Sequence, residues 1–460
     1  MAQNYDVVVI GAGPGGYVAA LRLAGRKLKV ALVERKYLGG TCLNVGCIPT
    51  KALLHNSEIA ANIAHAAEHG IEVGQYKINL KAMIKRKNDV VKRLSGGVAA
   101  LLKGRKVDVY YGIGKLSGTD QIEVQLQDGG SETLSAANII IACGSEPIVP
   151  GVFPQDRNKV MTSDEILNLE EMPDSLLIVG GGFIGCEFAT IFSELGAKVV
   201  LVEMLDRLLP MTDKDISTQL TKTFKAGGIE VYTATAVEKM EVVGDGVSTT
   251  LQGGNKIDTT LALVCTGRRP VTEGLGLEKV GVKLEKGFVV IDEQCRTNVP
   301  NIYAIGDITG KVQLAHVAGR QAAVAANNIA GVADREDYLV VPSAVYTHPE
   351  IASVGLTADE ARARGIDIRT ATFPMMASGM ALAHGQPSGF VKLVADADDV
   401  IVGAHLMCPH ASDMVQEVAV LMKSECTLHE LANTIHGHPT FVEALAEAAE
   451  ALLGHPLHAG

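Results

Sequence analysis

Two cysteines five residues apart carry the most reactive chemistry in this sequence. Cys42 and Cys47 lie in Gly39-Gly40-Thr41-Cys42-Leu43-Asn44-Val45-Gly46-Cys47-Ile48-Pro49-Thr50-Lys51. Zinc would need two further ligands at suitable spacing, and none stands nearby. A structural disulfide would be unusual in a reducing cytoplasm. In a regular helix the Cα atoms of residues i and i+5 are about 8.7 Å apart, more than the ~4.4–6.8 Å a disulfide spans. Gly46 and Pro49 are suited to distorting the backbone and closing that gap. The pair reads as a catalytic dithiol whose disulfide is readily reduced. The other six cysteines, at 143, 186, 265, 295, 408 and 426, stand singly among apolar neighbours and read as buried, inert thiols.

A second chemistry is written twice. Residues 7–16 read VVVIGAGPGG and residues 176–185 read LLIVGGGFIG. Each is a short apolar run entering G-x-G-x-x-G, with Gly11, Gly13 and Gly16 in one copy and Gly180, Gly182 and Gly185 in the other. Each copy continues into a helical stretch and a second apolar run ending in an acid, Glu34 or Glu203. The offsets agree, 34 − 11 = 23 and 203 − 180 = 23. The first glycine permits a tight turn, the second lets backbone approach a pyrophosphate, and the third lets helix pack on strand. The phosphates then sit at a helix N-terminus, and the acid accepts from ribose hydroxyls. Two copies in this context predict two bound dinucleotides.

The elements that must position these groups follow from the remaining pattern. Residues 80–103 carry helical spacing through Ile84, Val90, Val91, Leu94 and Leu101. A strand-rich stretch ends at Ile139-Ile140-Ile141, and Leu263-Val264 into Thr266-Gly267-Arg268 matches it after the second unit. Ile302 to Asp307 reads as a buried strand ending in an acid. From about residue 341 the pattern changes to strands over 389–394 and 400–406 and then two helical stretches. The expected fold is α/β: two Rossmann-like dinucleotide-binding domains and a separate C-terminal α+β domain.

Composition narrows the class further. The 460 residues are 47% hydrophobic and 20% charged, which describes folded rather than disordered chain. The net charge, 41 − 52 = −11, comes without a basic block, and aromatic residues are only 4% with no Trp. Nucleic acid and anionic membranes are therefore poor partners. No apolar run reaches the roughly 18 residues of a membrane span. The start, from Met1 to Asp6 and directly into Val7-Val8-Val9-Ile10, lacks the features of a secretory signal, so a cytoplasmic location is expected.

With these residues in view, the sequence resembles the pyridine nucleotide–disulfide oxidoreductases, and within them the branch that oxidises dihydrolipoyl groups. GAGPGG, GGTCLNVGCIPTK, GGGFIGCE, TGRRP, YAIGD, YTHPE and HGHPTFVE occur in the family's order along essentially the whole chain. The resemblance implies a homodimer with one FAD, one NAD site and one redox disulfide per chain. It divides the chain into 1–148 for the first part of an FAD-binding domain, 149–270 for an NAD-binding domain, 271–341 for a central domain completing the FAD site, and 342–460 for a C-terminal α+β dimerisation (interface) domain. Gly11, Gly13, Gly16, Glu34, Gly40, Thr41, Lys51 and Asp307 would hold FAD, with Gly114 and Ala315 as further contacts. Gly180, Gly182, Gly185, Glu203 and Gly267 would hold NAD. Cys47 would face the flavin and Cys42 would exchange disulfides with substrate, while Lys51 would pair with Glu187 beside the flavin. By their own surroundings Lys51 reads as a solvated lysine and Glu187 as an exposed helix residue.

The resemblance also makes His438 the base and Glu443 the group that orients it, serving the disulfide of the partner chain. Pro439 biases His438 toward extended backbone and can start a helix over 440–453, with Glu443 in its first turn. Glu203 would repel a 2′-phosphate and Met204-Leu205 offers no Arg to hold one, which favours NAD over NADP. That weakens a glutathione-reductase-like alternative. A structural flavoprotein subunit is the other alternative, disfavoured because His438, Glu443 and both cysteines are present. The apolar stretch Met375-Met376-Ala377-Ser378-Gly379-Met380 stands where the family usually has polar and basic residues. The implied partner is a lipoyl-bearing protein of a 2-oxoacid dehydrogenase complex, a glycine cleavage system or a specialised carrier.

Overall fold

The computed structural model describes residues 3–458; Met1 and Ala2, where the reading of the N-terminus begins, lie outside the described residues. The first unit runs β1 (Gln3–Ile10), α1 (Pro14–Gly25), β2 (Val30–Glu34), α2 (Gly40–Asn44), α3 (Cys47–Ala64), α4 (Leu80–Gly104), β3 (Asp108–Leu116), β4 (Gln121–Leu126) and β5 (Ser131–Ile141). β1 lies between β2 and β5, parallel to both, and β2 pairs in parallel with β3. β3 then turns from β2 to pair antiparallel with β4, and β4 with β5. Every residue of β2 is buried, as expected of a parallel strand covered on both faces.

The 80–103 helix forms as α4, capped by the Asn79 side chain accepting from the Ala82 N–H. Its buried face is Leu80, Ile84, Lys87, Val98 and Leu102, so Leu94 and Leu101 of the expected stripe point outward. Lys87 Nζ reaches Asn168 Oδ1 at 3.0 Å, and burial pushes its amine down to about 8.

The second unit contains β6 (Ser145–Pro147), β7 (Val160–Met161), α5 (Ser163–Ile166), β8 (Ser175–Val179), α6 (Phe183–Glu194), β9 (Lys198–Val202), α7 (Lys214–Ala226), β10 (Glu230–Tyr232), β11 (Val237–Val243), β12 (Gly246–Leu251), β13 (Lys256–Thr259), β14 (Leu261–Val264) and β15 (Arg268–Pro270). Its parallel sheet has the order β10-β9-β8-β14-β7, beside an antiparallel β11-β12-β13 meander. β6 and β15 pair antiparallel where the chain enters and leaves this unit. After a short hairpin, β16 (Leu284–Glu285) and β17 (Phe288–Val289), the chain returns to the first sheet as β18 (Ile302–Ala304), parallel to β5. Then α8 (Ala315–Ile329) packs beside α1.

The C-terminal unit is a five-stranded antiparallel sheet, β19 (Ser343–Val345), β20 (Ile351–Gly355), β21 (Ile368–Pro374), β22 (Phe390–Asp396) and β23 (Ile401–Met407), in the order β19-β20-β23-β22-β21. Short helices α9 (Ala358–Ala363) and α10 (Gly379–Ala383) lie between its strands. Three helices follow rather than two: α11 (Ala411–Lys423), α12 (Leu428–Asn433) and α13 (Glu443–Leu452). The Thr427 capping box starts a separate α12, which divides what reads in sequence as one helical stretch. The last helix begins at Glu443, not at residue 440. Thr440 is drawn into a turn, its hydroxyl donating to the Gly437 carbonyl at 2.8 Å and its N–H to Glu443 Oε2 at 2.7 Å.

Leu53, Leu54 and Ala60 of α3 belong to the same hydrophobic core as Cys186, Phe188 and Phe192 of α6 and Val345 and Ile351 of the C-terminal sheet. That shared core fixes α3 against the second unit. Among the described residues no helix is long and apolar enough to cross a membrane.

The glycines of the two motifs divide by what surrounds them. A Cβ at Gly16 would lie 1.8 Å from the Gly11 carbonyl oxygen, and one at Gly185 would lie 1.9 Å from that of Gly180. Gly13 and Gly182 have nothing within 4 Å of such a Cβ. The fold itself thus demands glycine at the third position of each motif and not at the second. Gly185→Ala is expected to cost about 1–3 kcal/mol through overpacking, whereas Gly13→Ala should leave thermal unfolding close to that of the parent while weakening FAD retention. Differential scanning calorimetry of both variants, with flavin absorbance, checks this split; equal destabilisation would contradict it.

Candidate active site

The redox pair sits where two helices fail to join. Cys42 is the third residue of α2 and Cys47 the first of α3. Val45 (φ −140°, ψ 27°) and Gly46 (φ −142°, ψ −118°) break the helix between them. Pro49, expected to share in the distortion, takes no part, since it lies inside the first turn of α3. A Cβ at Gly46 would lie 2.9 Å from the Thr41 carbonyl oxygen and 3.3 Å from Cys42 Cα, so the break folds back over Cys42. Asn44 holds this segment: its Nδ2 donates to the Leu38 and Gly40 carbonyls at 2.9 Å, and its Oδ1 accepts from Ser95 of α4 at 3.1 Å.

Both cysteines are free thiols, Cys42 half-buried and Cys47 exposed. The Cys42 thiol donates to the Cys47 sulfur. That bond is the main reason Cys42 is held far above the ordinary thiol range, with burial adding to it. The same bond lowers Cys47 to about 7, against burial and with help from the Lys51 charge. Lys51 is one helical turn beyond Cys47, on the same face of α3. As the first residue of an 18-residue helix whose N-cap offers no side-chain acceptor, Cys47 also stands at the positive end of the helix dipole.

Lys51 and Glu187 do not stand apart in solvent. Lys51 Nζ donates to both carboxylate oxygens of Glu187 at 2.8 Å, and Glu187 is only 5% exposed. The Tyr346 N–H donates to the same carboxylate at 3.2 Å, and the Tyr346 ring lies 4.5 Å from Lys51 Nζ.

The two acids make one pattern. Glu34 Oε2 accepts from the Ala12 N–H at 2.7 Å and its Oε1 from the Lys36 N–H at 2.7 Å. Glu203 Oε2 accepts from the Gly181 N–H at 2.6 Å and its Oε1 from the Leu205 N–H at 2.8 Å. Each acid therefore ties its glycine loop to the end of the second strand, a role beyond the expected ribose contact; each oxygen keeps further lone-pair capacity.

The glycine loops fit dinucleotides. Gly13 and Gly182 are the N-caps of α1 and α6, neither helix has a side-chain cap or an acid in its first turn, and open space faces both glycines. Free N–H groups at an uncapped helix end suit a pyrophosphate. Gly40 packs on Gly13, with a Cβ there 2.5 Å from Gly13 Cα, and Thr41 follows it exposed. Asp307 Oδ2 accepts from the Ser145 hydroxyl at 2.5 Å, and Ser145 Oγ accepts from Arg268 Nε at 2.8 Å; Oδ1 of Asp307 takes no bond from the described residues. Ala315 opens α8 at another uncapped end. The carbonyl oxygen of Gly267 (φ +136°) accepts from the Ile148 N–H at 3.0 Å. Gly114 is different: a Cβ there would meet Ile10 and Val33 side chains at 3.1–3.2 Å, so it faces the core of the first unit.

His438 Nδ1 lies 2.9 Å from Glu443 Oε1, and the His438 side chain is 82% exposed. The Glu443 carboxyl is pushed up by burial, but the Thr440 N–H and the His438 ring outweigh this and hold it below the usual range. His436, by contrast, is tucked in against Glu417 Oε1 at 2.9 Å. No hydrogen bond joins His438 to either motif cysteine of its own chain among the described residues.

Of the six remaining cysteines, Cys186, Cys295 and Cys408 are buried as expected, whereas Cys143, Cys265 and Cys426 are only partly buried. Burial pushes Cys143 and Cys265 up to about 12. Sequence reasoning did not single out Tyr346, Ser145 or Asn44. Asn44 was detectable as the one polar side chain between the cysteines, whereas Tyr346 is distant in sequence and acts partly through its backbone.

The Pyridine nucleotide-disulphide oxidoreductase family model matches residues 5–322, and its dimerisation-domain model matches residues 341–449. The chain is 44% identical to dihydrolipoyl dehydrogenase of Chlamydia muridarum, over 100% of this chain and 99% of that protein. It is 42% identical to dihydrolipoyl dehydrogenase of Bacillus subtilis, over 100% of both chains. Among solved structures, LpdA from Mycobacterium tuberculosis matches with a TM-score of 0.91 and 29% identity, covering 98% of this chain and 100% of that one. The HOCl-induced flavoprotein disulfide reductase RclA from Escherichia coli matches with a TM-score of 0.88 and 29% identity, over 97% and 99%.

One thiolate per reduced chain is expected to form with a midpoint at about pH 7. Above that midpoint Cys47 is ionised; below it the proton returns. Far-ultraviolet thiolate absorbance across a pH series should show this step, absent in Cys47→Ser and shifted upward in Cys42→Ala, which lacks the donor. A step unchanged by Cys42→Ala would contradict the assignment.

Proposed function

Because the chain belongs to the pyridine nucleotide–disulphide oxidoreductase family, we propose that Cys42, Cys47, Lys51, Glu187, His438 and Glu443 are the residues that carry its reaction. That reaction is FAD-dependent oxidation of dihydrolipoamide with NAD, as in the full-length relatives named dihydrolipoyl dehydrogenase. The observation that carries the residue assignment is the pair of thiols at the helix break, one strongly acidified, directly above a lysine held by a buried carboxylate.

In the oxidised chain Cys42 and Cys47 form a disulfide. His438, oriented by Glu443, takes the proton from one thiol of the dihydrolipoyl group. The resulting thiolate attacks Cys42 Sγ, a mixed disulfide forms, and Cys47 leaves as a thiolate. The second dihydrolipoyl sulfur then attacks the first, its proton passes to Cys42, and the cyclic lipoyl disulfide departs. The products are lipoyl disulfide, Cys42 as thiol, Cys47 as thiolate and one proton on His438. The donor bond from Cys42, the helix N-terminus and Lys51 all stabilise the charge left on Cys47. Bound FAD supplies the two-electron relay from the dithiol to NAD. Gly11, Gly13, Gly16, Glu34, Gly40, Thr41, Asp307 and Ala315 hold FAD in this reading, and Gly180, Gly182, Gly185, Glu203 and Gly267 hold NAD.

The protein works as a homodimer in which His438 serves the cysteine pair of the other chain. The dimerisation-domain match and the exposure of His438, away from its own cysteines, support this arrangement. The division at 148, 270 and 341 is supported by the β6–β15 pairing, the return of β18 to the first sheet and the start of the C-terminal sheet at Ser343. The physiological partner is a lipoyl-bearing protein in the cytoplasm.

Mixing Cys42→Ser and His438→Gln dimers under subunit exchange tests the arrangement. Each parent is expected to lose at least ~100-fold in dihydrolipoamide–NAD turnover. The hybrid contains one intact site, built from the unaltered cysteines of one chain and the unaltered histidine of the other, so activity should return. No recovery in confirmed hybrids would contradict the shared site.

A further inference from the structure

Lys51 is restrained from three separate parts of the molecule. It stems from α3 of the first unit, its ammonium is gripped by both oxygens of Glu187 on α6 of the second unit, and its remaining face is covered by the ring of Tyr346, which follows β19 of the C-terminal unit. We propose that Tyr346 is a positioning residue for the redox pair: its ring and its backbone N–H together fix the Lys51 ammonium beside Cys47, so that docking of the C-terminal sheet sets the acidity of the thiol. This deepens the reading above, and it rests on Lys51 acting on Cys47.

The geometry separates two contributions. The Tyr346 N–H holds Glu187 Oε1 at 3.2 Å and survives any side-chain substitution. The ring, 4.5 Å from Nζ, lies within the ~6 Å at which an aromatic face attracts a cation. A bidentate carboxylate alone still lets an ammonium pivot about it, because the lysine stem carries four rotatable bonds and a third of the side chain is solvent-accessible, at 32%. The ring closes that freedom on one side. Cys47 and Lys51 are i and i+4 on one helix, so a pivot of the ammonium about Glu187 changes its distance to the thiol directly. The Tyr346 ring packs against the core that Val345 and Ile351 share with α3 and α6, and burial raises the pKa of its hydroxyl above the ordinary tyrosine value, so the ring is carried by the C-terminal unit itself. The titratable and charged groups around Cys47 and Lys51 are Cys42 from α2, Tyr17 from α1, Glu187 from α6, and Tyr346 with Glu350 from the C-terminal unit.

The test uses the FAD-loaded dimer, reduced at its cysteines, with thiolate absorbance read as the difference from Cys47→Ser. Tyr346→Leu is expected to raise the midpoint by about half a pH unit, roughly threefold in the thiolate equilibrium. Tyr346→Phe, which keeps the ring, should leave it in place. In a Lys51→Met background, Tyr346→Leu should add nothing further. A purely structural role would lower the unfolding temperature of Tyr346→Leu without moving the midpoint, and that result overturns the proposal. So does a shift that persists undiminished when Lys51 is absent. If Tyr346→Leu does not fold, Tyr346→Met fills the same space without an aromatic face, and an unchanged midpoint there overturns the proposal equally. A Lys51→Met midpoint identical to that of the parent would instead sink the assignment of Lys51 itself, so the two failures are distinguishable.

Discussion

A buried carboxylate needs a partner, and in this protein that requirement joins the two dinucleotide-binding units. Glu187 lies almost wholly inside the α3–α6 seam, where an uncompensated charge would cost several kcal/mol. Lys51 meets both of its oxygens, and Tyr346 supplies a third bond from the C-terminal sheet. Because Lys51 is one turn beyond Cys47, satisfying Glu187 also places a positive charge beside the redox sulfur. Replacing the pair with apolar groups could preserve packing and still remove the charge that favours a thiolate leaving group.

Other polar bonds keep the same three bodies in register. Lys392 of β22 is buried and reaches Asp213 Oδ1 at 2.9 Å and Asp215 Oδ2 at 2.6 Å, at the start of α7. His348, just after Tyr346, lies 2.5 Å from Glu194 Oε1 at the end of α6. Burial alone would lower its ring's proton affinity, but Glu194 outweighs it and raises the affinity above the usual value. Both contacts run from the second unit to the C-terminal unit. The apolar core beneath them supplies the bulk of the adhesion, through Leu53 and Leu54 on one side and Val345, Ile351 and Met407 on the other. The polar bonds fix orientation, which matters because the redox pair and its lysine come from the first unit and the carboxylate that holds the lysine comes from the second.

Much of this was legible in the sequence because glycine spacing and strand hydrophobicity are local signals. The third glycine of each motif is required by a carbonyl less than 2 Å from its missing Cβ, and the equal offset of Glu34 and Glu203 reflects the same pair of backbone bonds in each unit. The helix break at Gly46 was also local. The errors lie where tertiary contacts compete with local preference. Thr440 fits a helix start but is drawn into a turn by Glu443 and Gly437. Leu94 and Leu101 fit a helical stripe, yet the buried face of α4 is set by the neighbours it meets and includes Lys87. Lys51 and Glu187 read as surface residues by composition, because nothing within their own segments shows that α3 and α6 share a core. Tyr346 opens the YTHPE run, but its type and spacing do not show what it touches, since its contribution begins with a main-chain N–H.

In the proposed reaction, electrons pass from a dihydrolipoyl dithiol through Cys42 and Cys47 to NAD. Its most direct test is the steady-state rate of NADH formation by the FAD-loaded protein with dihydrolipoamide and NAD, set against the rates with glutathione disulfide and either NADH or NADPH. Turnover with dihydrolipoamide and NAD, and none with glutathione disulfide, is the predicted result. Failure to oxidise dihydrolipoamide in a protein whose flavin NADH still reduces would contradict it.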